Sequence, residues 1–290
     1  MNDDYDSNFE TNDREDDGTT YESYKGKRGG PRSGVFAAIN VVLNERTVIP
    51  VARPPVDGNT RLFTYAVYPL IGVILGLVMI VWVNIARLIP MSIYLTALIG
   101  LVLIYTLQVG LPLIGFGQTA DALFSQRRMP DKMRILMARV LRPSAVVTSL
   151  LFAAVELTAF YYLFLFFRFR LWRLLFAMLA VFVFARAIGS LLTLSLAPLE
   201  PEEDGDMKTL KLVQLILMIT AGVAAVGLIL TGVWAALVSL AVMIGISVLC
   251  HSYFRAKYHG ITRKMSVFMV AAAEVIGLLA LLLPLGSFLW

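Results

Sequence analysis

The feature that most constrains this chain is the length of its uncharged apolar segments. From Leu212 to Cys250 no Asp, Glu, Lys or Arg interrupts the sequence, and a helix needs only about 20 apolar residues to cross a bilayer. Overall 58% of the residues are hydrophobic, against about 45–50% in soluble domains. A continuous uncharged apolar segment of this length is typical of a transmembrane helix, whose backbone makes all its hydrogen bonds within the segment. The sequence therefore predicts an all-α, polytopic integral membrane bundle.

About seven membrane spans are predicted from apolar length and from the charges or turns that separate them. The long uncharged segment is divided in two at Thr231-Gly232, which is typical of a turn. A shorter apolar stretch, Val35–Leu43, is too short to cross, so we expect it to lie along the surface or to pack under the bundle. The predicted spans are Phe63–Ile85, Ile93–Leu113, Ser144–Phe167, Leu174–Ala197, two within Leu212–Cys250, and Ser266–Leu289.

The N-terminal segment differs in composition from the rest of the chain. Its first 30 residues contain nine acids and few branched apolar side chains, so residues 1–33 are predicted to be a disordered tail before a membrane domain at 34–290. The net charge of +5 comes from basic residues at span ends, where Lys and Arg contact anionic lipid headgroups. Membrane lipids are therefore expected partners, and no nucleic-acid partner is expected. The single cysteine, Cys250, excludes an intrachain disulfide.

The distribution of Lys and Arg predicts the orientation. Twelve lie in loops on the side of the N-terminus, and four lie on the opposite side. The larger group predicts a cytoplasmic N-terminus. We expect the protein to lie in the inner membrane of the cell. Its members are Arg127, Arg128, Lys132, Arg134, Arg139, Arg142, Lys208, Lys211, Arg255, Lys257, Arg263 and Lys264; the smaller group is Arg87, Arg168, Arg170 and Arg173.

Four charged residues lie within or next to predicted spans, where a charge is costly unless it is paired or functional. Glu156 and Arg186 are predicted to form a structural ion pair. Asp121 and Glu274 lie beside basic loops, so we expect both to have a functional role. After Asp121 come six Lys and Arg residues between positions 127 and 142. One carboxylate beside so many cations indicates a phosphate ligand, although an amphipathic interfacial helix without a ligand would give the same pattern.

Several motifs, in order and spacing, are similar to those of the adenosylcobinamide-GDP ribazoletransferase family, also called cobalamin 5′-phosphate synthase. Tyr68-Pro69-Leu70-Ile71-Gly72 resembles the family's Pro-Leu-(Ile/Val)-Gly motif. Residues 112–125, PLIGFGQTADALFS, resemble His-Leu-Asp-Gly-Leu-Ala-Asp-Thr-x-Asp-Gly-x-Phe-Ser. Residues 259–264, HGITRK, resemble Gly-Gly-x-Thr-Gly-Asp, and Glu274 follows at the family's spacing. The resemblance covers roughly residues 34 to 285.

The resemblance implies a membrane transferase of cobalamin biosynthesis. The enzyme would join adenosylcobinamide-GDP, a corrinoid-GDP, to α-ribazole or its 5′-phosphate, and would release GMP. It also implies Mg²⁺ as the cofactor, with Asp121 as catalytic residue and metal ligand and Glu274 as a second ligand. Arg127 and Arg186 are candidate phosphate contacts by the resemblance, and Arg139 and Lys264 are candidates by charge and position.

This chain departs from the family at several acidic positions. Ile114, Gln118, Arg139 and Lys264 stand where the resembling motifs have acids. A divalent-metal cage needs several oxygen ligands, so these replacements predict weak, altered or absent activity. One alternative is a catalytically degenerate relative that acts as a binding or scaffold subunit, in a homo- or hetero-oligomer with an intact copy. A transporter would account for buried charges, but not for the order of the motifs.

Overall fold

The computed structural model describes residues 31–51, 56–138, 140–166, 171–199, 205–231 and 234–283. These residues form an all-helical bundle, as predicted, and the one β-type pairing among them is an isolated bridge between Pro198 and Ile261. The helices are α1 Pro31–Arg46, α2 Gly58–Leu88, α3 Ile93–Leu107, α4 Leu111–Phe124, α5 Met129–Met137, α6 Pro143–Phe166, α7 Leu171–Thr193, α8 Met207–Leu230, α9 Trp234–Tyr258 and α10 Arg263–Ala280. Residues 1–30 of the predicted tail lie outside the described part of the chain.

Five helices are long and apolar enough to cross a membrane: α2, α6, α7, α8 and, from Ala235, α9. Counting α3 and α4 together as one broken span gives six, so the chain is a multi-pass membrane protein. About seven spans were expected. The seventh, Ser266–Leu289, corresponds over its described residues to α10, which is not among the helices counted here. That helix is buried along most of its length inside the bundle.

The predicted second span, Ile93–Leu113, is broken rather than continuous. Val109 and Gly110 both adopt left-handed backbone conformations, with φ of 55° and 66°, and the chain bends by 84° between α3 and α4. Pro112 then lies in the first turn of α4, where its missing N–H has no helical partner to lose. A β-branched valine in this conformation is strained. The bend turns α4 away from α3 and places its C-terminal end beside α10.

The centre of the bundle is α7, which packs against α2 through glycines. A Cβ atom on Gly72 would lie 2.6 Å from the Phe182 carbonyl oxygen, and one on Gly76 would lie 2.7 Å from Leu179 Cβ. The two backbones therefore approach closely at these two small residues. The segment Val35–Leu43 lies within α1, where Ala38, Val41 and Val42 are buried. It packs under the bundle, against the first part of α2.

Candidate functional site

Asp121 lies in the last turn of α4 and is held by two side chains from the next segments. Its Oδ1 accepts a hydrogen bond of 2.6 Å from Ser144 Oγ, and its Oδ2 accepts one of 3.3 Å from Arg142 Nη1. The Asp121 side chain is only 9% exposed, whereas Arg142 is 38% exposed. Both carboxylate oxygens thus have a partner within the protein. The arrangement leaves a partly exposed guanidinium beside a nearly buried carboxylate at the end of the bundle.

Lys264 and Gln118, at two positions where the resembling family has acids, both donate to the chain segment that follows α5. Lys264 Nζ donates to the Ala138 carbonyl oxygen at 2.5 Å. Gln118 Nε2 donates to the same oxygen at 3.2 Å and to the Val140 carbonyl oxygen at 3.4 Å. These bonds join α10 and α4 to one short loop. The two helices also touch directly, since a Cβ atom on Gly115 would lie 2.6 Å from Val267 Cγ1.

A second group of charges lies deeper, between α3, α6, α7 and α10. Arg186 Nη1 donates to Glu274 Oε2 at 2.8 Å and to the Phe182 carbonyl oxygen at 2.9 Å. Its Nη2 donates to Gln108 Oε1 at 3.0 Å. Glu156 accepts a hydrogen bond from the Tyr105 hydroxyl. The prediction that Arg186 pairs with Glu156 is therefore wrong. Its ion-pair partner is Glu274, because α7 packs against α10.

The predicted metal ligands Asp121 and Glu274 belong to these two different groups. Glu274 lies ten residues after Lys264, about 15 Å along an α-helix, and each carboxylate is bonded to an arginine. Within the described residues, no three His, Cys, Asp or Glu side chains are arranged to hold a metal ion. A cage built from both predicted ligands does not fit this arrangement.

The three arginines among the predicted phosphate contacts lie in different parts of the chain. Arg127 is exposed in the segment between α4 and α5, close in sequence to Asp121. Arg139 lies outside the described residues, between Ala138 and Val140. Arg186 is buried among the helices and bonded as above. Arg127 therefore lies in the segment that follows α4, and Lys264 lies on α10, which packs against α4.

Sequence reasoning missed a basic cleft at the end of the bundle where α2 and α10 begin and α1 and α7 end. A cavity of about 250 Å³ lies there, lined by Arg46, Arg61 and Arg263 together with the acids Glu45 and Asp57. Arg46 Cζ lies 5.1 Å from the centroid of the Tyr68 ring, and Arg186 Cζ lies 5.9 Å from it. The only sequence signal is that each lining arginine lies in the first or last turn of a helix.

Residues 38–282 match the family model described as cobalamin-5-phosphate synthase. Three proteins named adenosylcobinamide-GDP ribazoletransferase, from three strains of Clostridium perfringens, are each 31% identical over 121 residues. That alignment covers 42% of this chain and 48% of each relative, so the chain spans about half the length of the curated relatives it matches. No solved structure matches.

Proposed function

Because the chain belongs to the cobalamin-5-phosphate synthase family, we propose that it is a ribazoletransferase of cobalamin biosynthesis. In the proposed reaction it joins adenosylcobinamide-GDP to α-ribazole or α-ribazole 5′-phosphate and releases GMP. The observation that carries this proposal is the family match, which extends from α1 to the end of α10 and includes every segment around Asp121. The Clostridium perfringens relatives are named for the same activity.

The bond changes of such a transfer define what the protein must do. A ribose hydroxyl oxygen of the ribazole forms a bond to the phosphorus on the cobinamide side of the diphosphate. The bond from that phosphorus to the GMP oxygen breaks, GMP leaves with the electron pair, and the hydroxyl proton is lost. Phosphoryl transfer depends chiefly on positioning and on stabilising charge on the phosphate oxygens. Fixed cations are one means of supplying that stabilisation.

We propose that the diphosphate is held at the C-terminal end of α4. Arg142 is partly exposed there and is fixed by Asp121, and a guanidinium can bind two phosphate oxygens at once. Arg127 is exposed in the adjoining segment, and in the sequence Arg139 lies between Ala138 and Val140, whose carbonyl oxygens accept from Gln118. Asp121 would orient Arg142 and Ser144 toward the substrate. In this proposal the chain's own cations perform the charge stabilisation, and a requirement for Mg²⁺ stays a separate prediction.

A turnover assay tests the proposal. Full-length protein in detergent would be incubated with adenosylcobinamide-GDP and α-ribazole 5′-phosphate, with Mg²⁺ or with EDTA, and GMP would be measured by chromatography. We expect GMP release that falls about 100-fold or more in Asp121→Asn and Arg142→Gln. Arg87→Gln, an exposed arginine in the last turn of α2, should retain full activity. Corrinoid binding without any GMP release would contradict the proposal and support the degenerate scaffold.

The cytoplasmic N-terminus and the inner membrane are part of the same proposal. Lys208 at the start of α8 and Arg87 at the end of α2 are both exposed and lie at opposite ends of the bundle, because the Asp206 N–H bonds to Asn59 in the first turn of α2. In a Cys250→Ala background, Arg87→Cys should react with an impermeant maleimide in whole bacterial cells. Lys208→Cys should react only after lysis. The reverse pattern would overturn the orientation.

A further inference from the structure

We propose, beyond the transfer reaction, that the basic cleft between α1, α2, α7 and α10 binds the phosphoryl group of a phosphate ester. The cleft lies beside the first turn of α10. Arg263 and Ser266 line it, whereas Lys264 donates to the Ala138 carbonyl oxygen after α5 and Val267 packs on Gly115 of α4. Asp121 and Glu274, the predicted catalytic and metal-binding residues, are not in its lining.

The charge of the cleft favours an anion. Its lining contains three arginines and two acids, which leaves one net positive charge. Both acids already have partners: Asp57 accepts from the Thr60 N–H at the start of α2, and Glu45 forms an ion pair of 3.5 Å with Arg263. Guanidinium groups bind phosphate oxygens in pairs. The N-terminus of α10 at this place adds backbone dipoles that also favour negative charge.

A buried hydroxyl group supports a ligand in the same cavity. Ser190 on α7 lines the cleft and is 2% exposed, and its Oγ has no hydrogen-bond partner among the described residues. Buried hydroxyl groups almost always have a partner. Ser266 Oγ, in the same lining, is bonded to Thr193 Oγ at 2.9 Å, so of the two lining serines Ser190 is the one available to a ligand. A phosphoryl oxygen would satisfy it.

The size of the cleft indicates how much of a ligand it can hold. The cavity of about 250 Å³ adjoins a second of about 340 Å³, and the two share the lining residues Arg46, Tyr65, Arg263 and Ser266. The second cavity is bordered by apolar side chains, including Leu62, Leu194 and Ile261. A phosphoryl group at the arginines would therefore carry its ester group into the less polar cavity. A nucleoside phosphate and the headgroup of an anionic phospholipid both have this chemistry.

Binding measurements without a second substrate test the site. GMP and inorganic phosphate would be titrated into the full-length protein in detergent by calorimetry, and retention of phosphatidylglycerol over phosphatidylcholine would be measured by native mass spectrometry. We expect Arg61→Gln to weaken binding of the preferred probe about 10- to 100-fold, because it removes a hydrogen bond from a charged group. Ser190→Ala removes a neutral hydrogen bond and should weaken binding about 2- to 10-fold. Arg87→Gln, which removes the same charge at the other end of α2, should bind as the wild type.

The two sources of the phosphoryl group are separated by the probes. If GMP binds saturably and Arg61→Gln weakens that binding, the ligand is a nucleotide. If GMP does not bind, and phosphatidylglycerol is retained by the wild type but lost from Arg61→Gln, the ligand is a lipid. Equal binding by wild type, Arg61→Gln and Ser190→Ala, or no binding of any probe, would overturn the proposal. Ser190→Ala removes a single oxygen atom and should fold. It therefore still tests the site if Arg61→Gln fails to fold. If the wild-type protein releases GMP in the turnover assay but binds none of the probes, the cleft proposal fails and the transfer reaction stands. If it binds a probe through Arg61 and Ser190 but shows no turnover, the transfer reaction fails and the cleft proposal stands.

Discussion

Lys264 on α10 donates a hydrogen bond of 2.5 Å from Nζ to the carbonyl oxygen of Ala138, which follows α5. Gln118 on α4 donates to the same oxygen. Two residues that stand where the resembling family has acids are thus used to hold a loop against two helices. The loop leads directly to Arg142, which contacts Asp121. The geometry of the Asp121 group therefore depends on bonds formed by the replaced residues.

Removing the Lys264 amine should loosen this loop. In Lys264→Met the Ala138 carbonyl oxygen keeps only the weaker bond from Gln118, so we expect trypsin to cleave after Arg139 or Arg142 several-fold faster than in the wild type. Mass spectrometry of the fragments measures this. Lys257→Met, an exposed lysine in the last turn of α9, is the matched control. An unchanged cleavage rate in Lys264→Met would mean that the bond does not hold the loop.

The buried Arg186–Glu274 pair should behave as a unit. Arg186→Met leaves Glu274 uncompensated beside Glu156, and loss of one partner of a buried pair costs about 3–5 kcal/mol. The double variant Arg186→Met/Glu274→Met replaces both charges with apolar groups and should be less destabilised than either single variant. Unfolding in a detergent titration, followed by tryptophan fluorescence, gives the comparison. Additive losses in the double variant would show that the two side chains are not coupled.

Close packing of α2 on α7 should make Gly72 intolerant of a side chain. A Cβ atom there would lie 2.6 Å from the Phe182 carbonyl oxygen and 2.8 Å from Val183 Cα, so the backbones must separate. We expect Gly72→Ala to cost about 1–3 kcal/mol. Gly222→Ala on α8 meets no atom within 4 Å and should be neutral or slightly stabilising. Equal melting temperatures for the two variants would contradict the packing described.

Asp57 should stabilise the start of α2 in a pH-dependent way. Its side chain accepts a hydrogen bond from the Thr60 N–H, and bonding to Thr60 holds the pKa of Asp57 below its ordinary value of 3.8, although partial burial opposes this. A lowered pKa means that the stabilisation is fully present above pH 3.8 and is lost as the pH falls through the folded-state value. Asp57→Ala should cost about 0.5–2 kcal/mol at pH 7.

The pH series provides the control for this prediction. The difference in melting temperature between wild type and Asp57→Ala should be constant from pH 7 down to about pH 5 and should shrink below pH 3.8. Asp57→Asn keeps a side-chain acceptor without a charge, so it should retain most of the stability at all pH values. A difference that grows on acidification would contradict the assignment of Asp57 as the cap.

The sequence alone determined the class of fold and the family, because both depend on local information. Uncharged runs such as Leu212–Cys250 are long enough to cross lipid whatever their neighbours, and the motifs around Tyr68, Asp121 and Glu274 keep their order along the chain. The break in the predicted second span was not predictable from apolar length, because Val109 and Gly110 differ from their neighbours in backbone conformation rather than in hydrophobicity.

Only the tertiary structure decided which charged groups meet. Arg186 has Glu274 rather than Glu156 as its partner because α7 and α10 pack side by side, and that choice depends on residues 88 positions apart. The basic cleft likewise brings Arg46, Arg61 and Arg263 together from three helices. Helical periodicity predicts which face of a helix a residue occupies. It carries no information on which other helix that face will meet, and the functional contacts of this protein lie between helices.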